Sequence, residues 1–156
     1  MRILGVDAGR RRIGLAVSDV SGTLARPWLT LDAGPTPAAS ADRIAVRLDS
    51  ERRATLDDFV VEVVVVGLPR RLNGDANQAT ADAQALAAAL VDRMGLPVHL
   101  QDERLTSHEA DALLARREPD WRARKKQLDA TAAALILQDW LDGQAAPRPP
   151  SQENHE

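Results

Sequence analysis

Two regimes of apolar patterning alternate along the chain. Dense apolar runs of five to seven residues give way to stretches in which apolar side chains recur every three or four positions. Ile3 to Asp7 is a run ending in an acid, and Ile13 to Ser18 is a second run after a basic, glycine-containing turn. Leu24 to Leu31 follows the Ser21-Gly22 turn and reads as a third strand, with Pro27 marking it as an edge or a bulge. Three short strands joined by tight turns predict an antiparallel meander. After a loop at Gly34-Pro35-Thr36-Pro37, Ser40 to Phe59 reads as a helix with Ile44, Leu48 and Leu56 as spaced apolar positions. Val60 to Val66 is nearly all valine, so it predicts a strand covered on both faces, ended by Gly67-Leu68-Pro69.

A polar loop through Asn73-Gly74-Asp75 leads to an Ala-rich helix from Thr80 to Met94, stopped by Gly95 and Pro97. Val98 to Glu103 is a fifth strand. Thr106 and Glu109 have the spacing of a capping box for a helix running to Arg116. Lys126 to Leu141 is the last helix, closed by Gly143, and the proline-bearing segment 144–156 reads as a disordered tail. The order β-β-β-α-β-α-β-α-α predicts an α/β domain over 1–143. Its five-stranded mixed sheet has three antiparallel strands, then parallel ones, with helices on both faces.

Chemistry enters through three acids in the wrong kind of place. Asp7 and Glu103 end strands, and the carboxyl ends of neighbouring parallel strands gather on one sheet edge. Asp129 shares a helix face with Ala133, Ile136 and Trp140, and that face is apolar. Each acid alone has a plain explanation. Asp7 could bond the backbone of its own turn, Glu103 could pair with a nearby base, and Asp129 could complement a helix dipole. Together they would repel by roughly 4 kcal/mol per pair at about 4 Å and an effective dielectric near 20. A hard divalent cation relieves that, and Mg2+ suits an open carboxylate set. Ala132, Ala133 and Ala134 would let the helix approach the sheet.

Charge changes the picture modestly. The net charge is −3, but arginines cluster at Arg10 to Arg12, Arg70-Arg71, Arg116-Arg117 and around Arg124 to Lys126. Distribution bears more on nucleic-acid binding than the sum does. With no cysteine, the 156-residue chain has no disulfide, thiol chemistry or Cys-ligated zinc. No apolar run is long enough to span a bilayer, and no signal-peptide pattern opens the chain, so a cytoplasmic protein is expected. His99 reads as a strand residue facing a helix, and His108 and His155 as surface. Trp121, beside Arg122 and Arg124, reads as packing under a loop, with base stacking as the alternative.

Four segments together resemble the YqgF/RuvX family. Asp7 to Ala16 is similar to its opening D-x-G-x-x-R-I-G-x-A, and Val65 to Pro69 to its V-V-G-L-P. Asp102 to Ser107 resembles the D-E-R-L-[ST]-[ST] signature, and Asp129 to Gln138 its final D-x-x-A-A-x-x-I-L-Q helix. The resemblance spans residues 2 to 142, and it implies an RNase H-like fold. The family carries two descriptions, a Holliday junction resolvase and a nuclease processing the 5′ end of pre-16S rRNA.

The resemblance implies catalytic and metal-binding roles for Asp7, Glu103 and Asp129 with Mg2+ or Mn2+. It implies substrate contacts at Gly9, Arg12, Arg104 and Lys126. The expected partner is nucleic acid, either pre-rRNA or branched DNA, met by a monomer or homodimer with no membrane involved. The fourth strand ends in Gly67 where many RNase H-like enzymes carry an acid, so three carboxylates are expected instead of four. Two other readings compete: a non-catalytic RNA-binding factor in ribosome assembly, and a phosphotransferase, since actin-like sugar kinases also begin D-x-G. A single short domain lacks the second lobe a kinase needs to enclose ATP.

Overall fold

The computed structural model describes residues 1–69, 78–103 and 121–145, with side chains from 128 to 144 in the last segment. The strands are β1 (Arg2–Ala8), β2 (Arg12–Ser18), β3 (Ala25–Asp32), β4 (Val61–Pro69) and β5 (Val98–Glu103). The helices are α1 (Pro37–Ala54), α2 (Gln78–Met94) and α3 (Trp121–Ala145). The strands form one sheet in the order β3-β2-β1-β4-β5. β1 to β3 pair antiparallel, whereas β4 is parallel to both β1 and β5. This is the five-stranded mixed sheet expected from the sequence. The helix expected over 106–116 and the tail beyond residue 145 lie outside the described residues.

Both faces of the sheet are covered, which explains the unbroken valines of β4. Ile44, Leu48, Leu86 and Leu90 of α1 and α2 pack with Leu4, Val6, Val64 and Val66 on one face. Ala133, Ile136, Leu137 and Leu141 of α3 pack with Ile3, Ala16, Val63 and Val65 on the other. Alternate residues of β4 therefore enter different cores, and Val64, Val65 and Val66 are all fully buried. No described helix is long and apolar enough to cross a membrane.

Several boundaries differ from the sequence expectation. α1 begins at Pro37, because the Thr36 side chain accepts the Ala39 N–H as an N-cap and proline fits the first turn. It ends at Ala54 and not at Phe59. The Thr55 hydroxyl accepts the Phe59 N–H, and Leu56 and Asp57 adopt left-handed φ of 53° and 68°. Leu56 is thereby 91% exposed, not a core position, while Phe59 folds back against Trp28 at 5.1 Å. β4 runs through Gly67 to Pro69, because its pairing with β5 continues to Glu103. α3 starts at Trp121 and passes Gly143 to reach Ala145. Pro27 occupies both expected situations: β3 is an edge strand, and its register with β2 shifts between Leu15 and Ala16, where Pro27 lies opposite.

Candidate active site at the sheet edge

The expected acids approach one another from three elements. Asp7 lies opposite Gly14 in the β1–β2 ladder, so it projects to the same face as Gly14. That face carries α3. A Cβ on Gly14 would fall inside the main-chain carbonyl of Asp129. The absent side chain is thus what seats this turn of α3 against the sheet beside Asp7. Asp129 lies eight residues into α3, well beyond the first turn, so the helix-dipole explanation for it fails. Ala133 and Ile136 on its face are buried, and Trp140 packs at their margin, where it stacks on His99 at 5.3 Å.

Glu103 arrives by a different device. Gly67 is paired with Gln101 on β5, two residues before Glu103. A Cβ on Gly67 would collide with Oε2 of Glu103 and lie 2.5 Å from Cδ1 of Ile136. Where β4 supplies no acid, Gly67 leaves a window through which the acid of β5 reaches inward. Sequence reasoning registered Gly67 only as a missing carboxylate and did not single out Gly14. The glycine of V-V-G-L-P was the available signal.

The electrostatics fit a cluster short of countercharge. Burial, then Glu103, then Asp129 push the Asp7 carboxyl up to about 8. Burial also raises Glu103. Asp129 is raised by burial and drawn back by the Arg12 guanidinium, whose Nε lies 3.4 Å from Oδ2. Oε2 of Glu103 is buried without any hydrogen-bond partner among the described residues. Such an orphan acceptor is costly unless a cation completes it. Among the described residues, no three His, Cys, Asp or Glu side chains are already drawn into a metal-holding cluster. The carboxylates sense one another without having converged, and among the described residues Arg12 supplies the positive charge paired with them.

The remaining predicted residues divide. Arg12 is at the site. Gly9 closes the β1–β2 turn: its N–H donates to Arg12 O at 2.9 Å, and a Cβ there would lie 2.5 Å from the same oxygen. The turn thus accounts for Gly9 without invoking a phosphate. Its N–H is also taken by Arg12, which leaves Asp7 no turn bond to make there. Lys126 lies on α3, but its side chain, like the whole of Arg104, is outside the described residues.

The family profile and the sequence relatives agree on one family. The profile described as "RuvX: Holliday junction resolvase" matches residues 1–143. A "Putative pre-16S rRNA nuclease" from Pelotomaculum thermopropionicum is 38% identical over 148 residues, covering 95% of this chain and 91% of that one. A protein of the same description from Anaeromyxobacter sp. (strain Fw109-5) is 41% identical over 146 residues, covering 94% and 100%. Among solved structures, "Thermus thermophilus RuvC structure" superposes with a TM-score of 0.48 at 20% identity, covering 93% of this chain and 96% of that chain. With the profile reaching from β1 almost to the end of α3, and relatives matched over nearly their whole length, the chain belongs to the RuvX family.

Proposed function

We propose that this protein is a divalent-metal-dependent nuclease that hydrolyses phosphodiester bonds in structured RNA, at the 5′ end of pre-16S rRNA. One observation carries the reading above the others. A buried carboxylate oxygen of Glu103 has no partner among the described residues, beside an Asp7 whose proton affinity burial and then its acidic neighbours raise. A protein that only bound RNA would gain nothing from such a cost. The names of the relatives support the substrate class.

Asp7, Glu103 and Asp129 are the side chains that would hold one or two Mg2+ or Mn2+ ions, all offering the oxygen donors such ions prefer. When bound, these ions would supply charge stabilisation at the phosphodiester and lower the pKa of an attacking water. Hydrolysis joins the water oxygen to phosphorus and breaks the bond to the 3′ oxygen, which takes up a proton. One fragment keeps a 5′-phosphate and the other a 3′-hydroxyl. Until a cation arrives, Asp7 retains a proton at neutral pH and Arg12 neutralises Asp129. Arg12 is then free to turn to a substrate phosphate once Asp129 has another countercharge, a role a guanidinium fills well.

The family's description as a Holliday junction resolvase supports a second substrate, a four-way DNA junction. A two-fold homodimer would be required to cut it symmetrically. Cleavage of a precursor rRNA fragment and of a four-way junction, in parallel and in Mg2+ or Mn2+, separates the two. Wild type should cut the RNA, and Asp7→Asn and Asp129→Asn should each be slower by at least about a hundredfold. Undiminished cleavage by either variant would remove these acids from the mechanism.

A further inference from the structure

We propose that the groove between the outer edge of β3 and α3 reads the ribose 2′-hydroxyl of the nucleotide beside the scissile phosphate, through Thr30 and Asp32. The inference rests on the nuclease reading and extends it to the sugar. The groove has a volume of about 530 Å3 and is lined by Arg12, Pro27, Leu29, Thr30, Asp32 and Ala130. That lies within the ~300–1,000 Å3 range of ligand-sized clefts.

Ladder register makes the groove continuous with the acids. Asp7 lies opposite Gly14, and Gly14 opposite Thr30. Directly opposed residues share a face, so Thr30 stands on the α3 side in line with Asp7. Arg12 and Asp32 are opposed two pairs further along the ladder, on the same face. Opposed Arg and Asp would ordinarily pair. Here the guanidinium turns inward to Asp129, and among the described residues nothing bonds the Asp32 carboxylate. The end of β3 is nonetheless fixed, since Arg43 Nη1 donates to the carbonyls of Asp32 at 3.0 Å and Ala33 at 3.1 Å.

The chemistry sorts a nucleotide in one direction. A carboxylate accepts only, so Asp32 repels phosphate and can take the proton of a sugar hydroxyl. The Thr30 hydroxyl can donate to the same oxygen. Phosphate belongs at the Arg12 end, and Pro27 and Ala130 offer an apolar wall to the sugar carbons. A deoxyribose would leave Asp32 facing carbon, and a site built around a hydroxyl penalises the analogue without one.

The test is binding of matched single-stranded RNA and DNA oligonucleotides, followed by fluorescence anisotropy without divalent ions. Wild type should prefer RNA by about tenfold, the worth of one hydrogen bond to a charged group. Thr30→Val and Asp32→Ala should each move that ratio toward one, whatever happens to absolute affinity. RNAs carrying a single 2′-deoxy substitution, scanned through the sequence on wild type, give a variant-free check, and one position should carry most of the loss. Equal RNA and DNA affinity in wild type, an unchanged ratio in both variants, or a flat deoxy scan would each overturn the subsite. Cleavage in Mg2+ is read in parallel on the precursor rRNA fragment. Ribose preference without cleavage would remove the nuclease reading alone, and cleavage without ribose preference the subsite alone.

Discussion

Replacing Asp7 by asparagine should stabilise the metal-free protein, and the gain should grow with pH. The folded state holds the Asp7 proton up to about pH 8, whereas the unfolded chain releases it near 3.8. Between those values the native state binds more protons than the unfolded one, so stability falls as pH rises. The contribution is fully present below the unfolded value and lost as pH climbs through the folded one. Each unit of pH inside the window is worth about 1.36 kcal/mol, so from pH 5 to pH 7 wild type should lose roughly 2–3 kcal/mol.

Glu103 and Asp129 are shifted in the same direction and can only steepen the slope. Asp19 does not oppose it. Bonds from the Ser21 hydroxyl and the Thr23 and Leu24 N–H groups hold its carboxyl at about 2, so its change is complete below pH 5. Urea unfolding at pH 5, 6 and 7 with a chelator present measures the effect through the midpoint and slope. Asp7→Asn should show a shallower pH dependence and a higher midpoint at pH 7. Saturating Mg2+ should lift wild type and leave the variant nearly unmoved. A wild-type curve that is flat or rises across this range would refute the reasoning. So would wild-type and variant curves that run parallel.

Two glycine substitutions should separate building the site from building the fold. Gly14→Ala forces a Cβ into the Asp129 carbonyl, a rigid backbone contact, and should cost roughly 3 kcal/mol, about 6–12 °C in Tm; an unchanged Tm would mean that α3 is not seated there. Gly67→Ala meets only the ends of two side chains, Glu103 and Ile136. It should cost about 1 kcal/mol in stability yet weaken Mn2+ binding by calorimetry about tenfold or more, because Glu103 must swing away; retained affinity would show that Glu103 does not need the window.

The three acids were legible because each broke a local pattern. Asp7 closed an apolar run, Glu103 ended a strand, and Asp129 stood on an apolar helix face. The sheet was equally legible, since turn residues and the valines of β4 mark strands without reference to anything distant. What escaped was fixed by tertiary contact. Leu56 keeps helical spacing, and only the burial of Phe59 and the hydrogen bonds of Thr55 turn the chain before it. The early start of α3 was hidden because its basic first turns carry no apolar period. Gly14 and Gly67 look like any strand glycines until α3 and β5 are laid against them. A sequence displays the side chain that is present, and it gives no sign of the atom whose absence another element requires.

The strapping of α3 across the β2–β3 hairpin bears on the order of events in synthesis. Gln138 accepts the Ala25 N–H through Oε1 and donates to the Thr23 carbonyl through Nε2, joining residues more than a hundred positions apart. β1, β2 and β3 can pair as soon as they emerge, because their contacts are local. The parallel strands must await their crossovers, and Asp129 reaches Asp7 only when the last helix has docked. A nascent chain still lacking α3 therefore carries Asp7 on an open sheet without its partner acid. An enzyme that cuts ribosomal RNA would thus be inert while attached to the ribosome making it, and would acquire its cutting edge only near the end of translation.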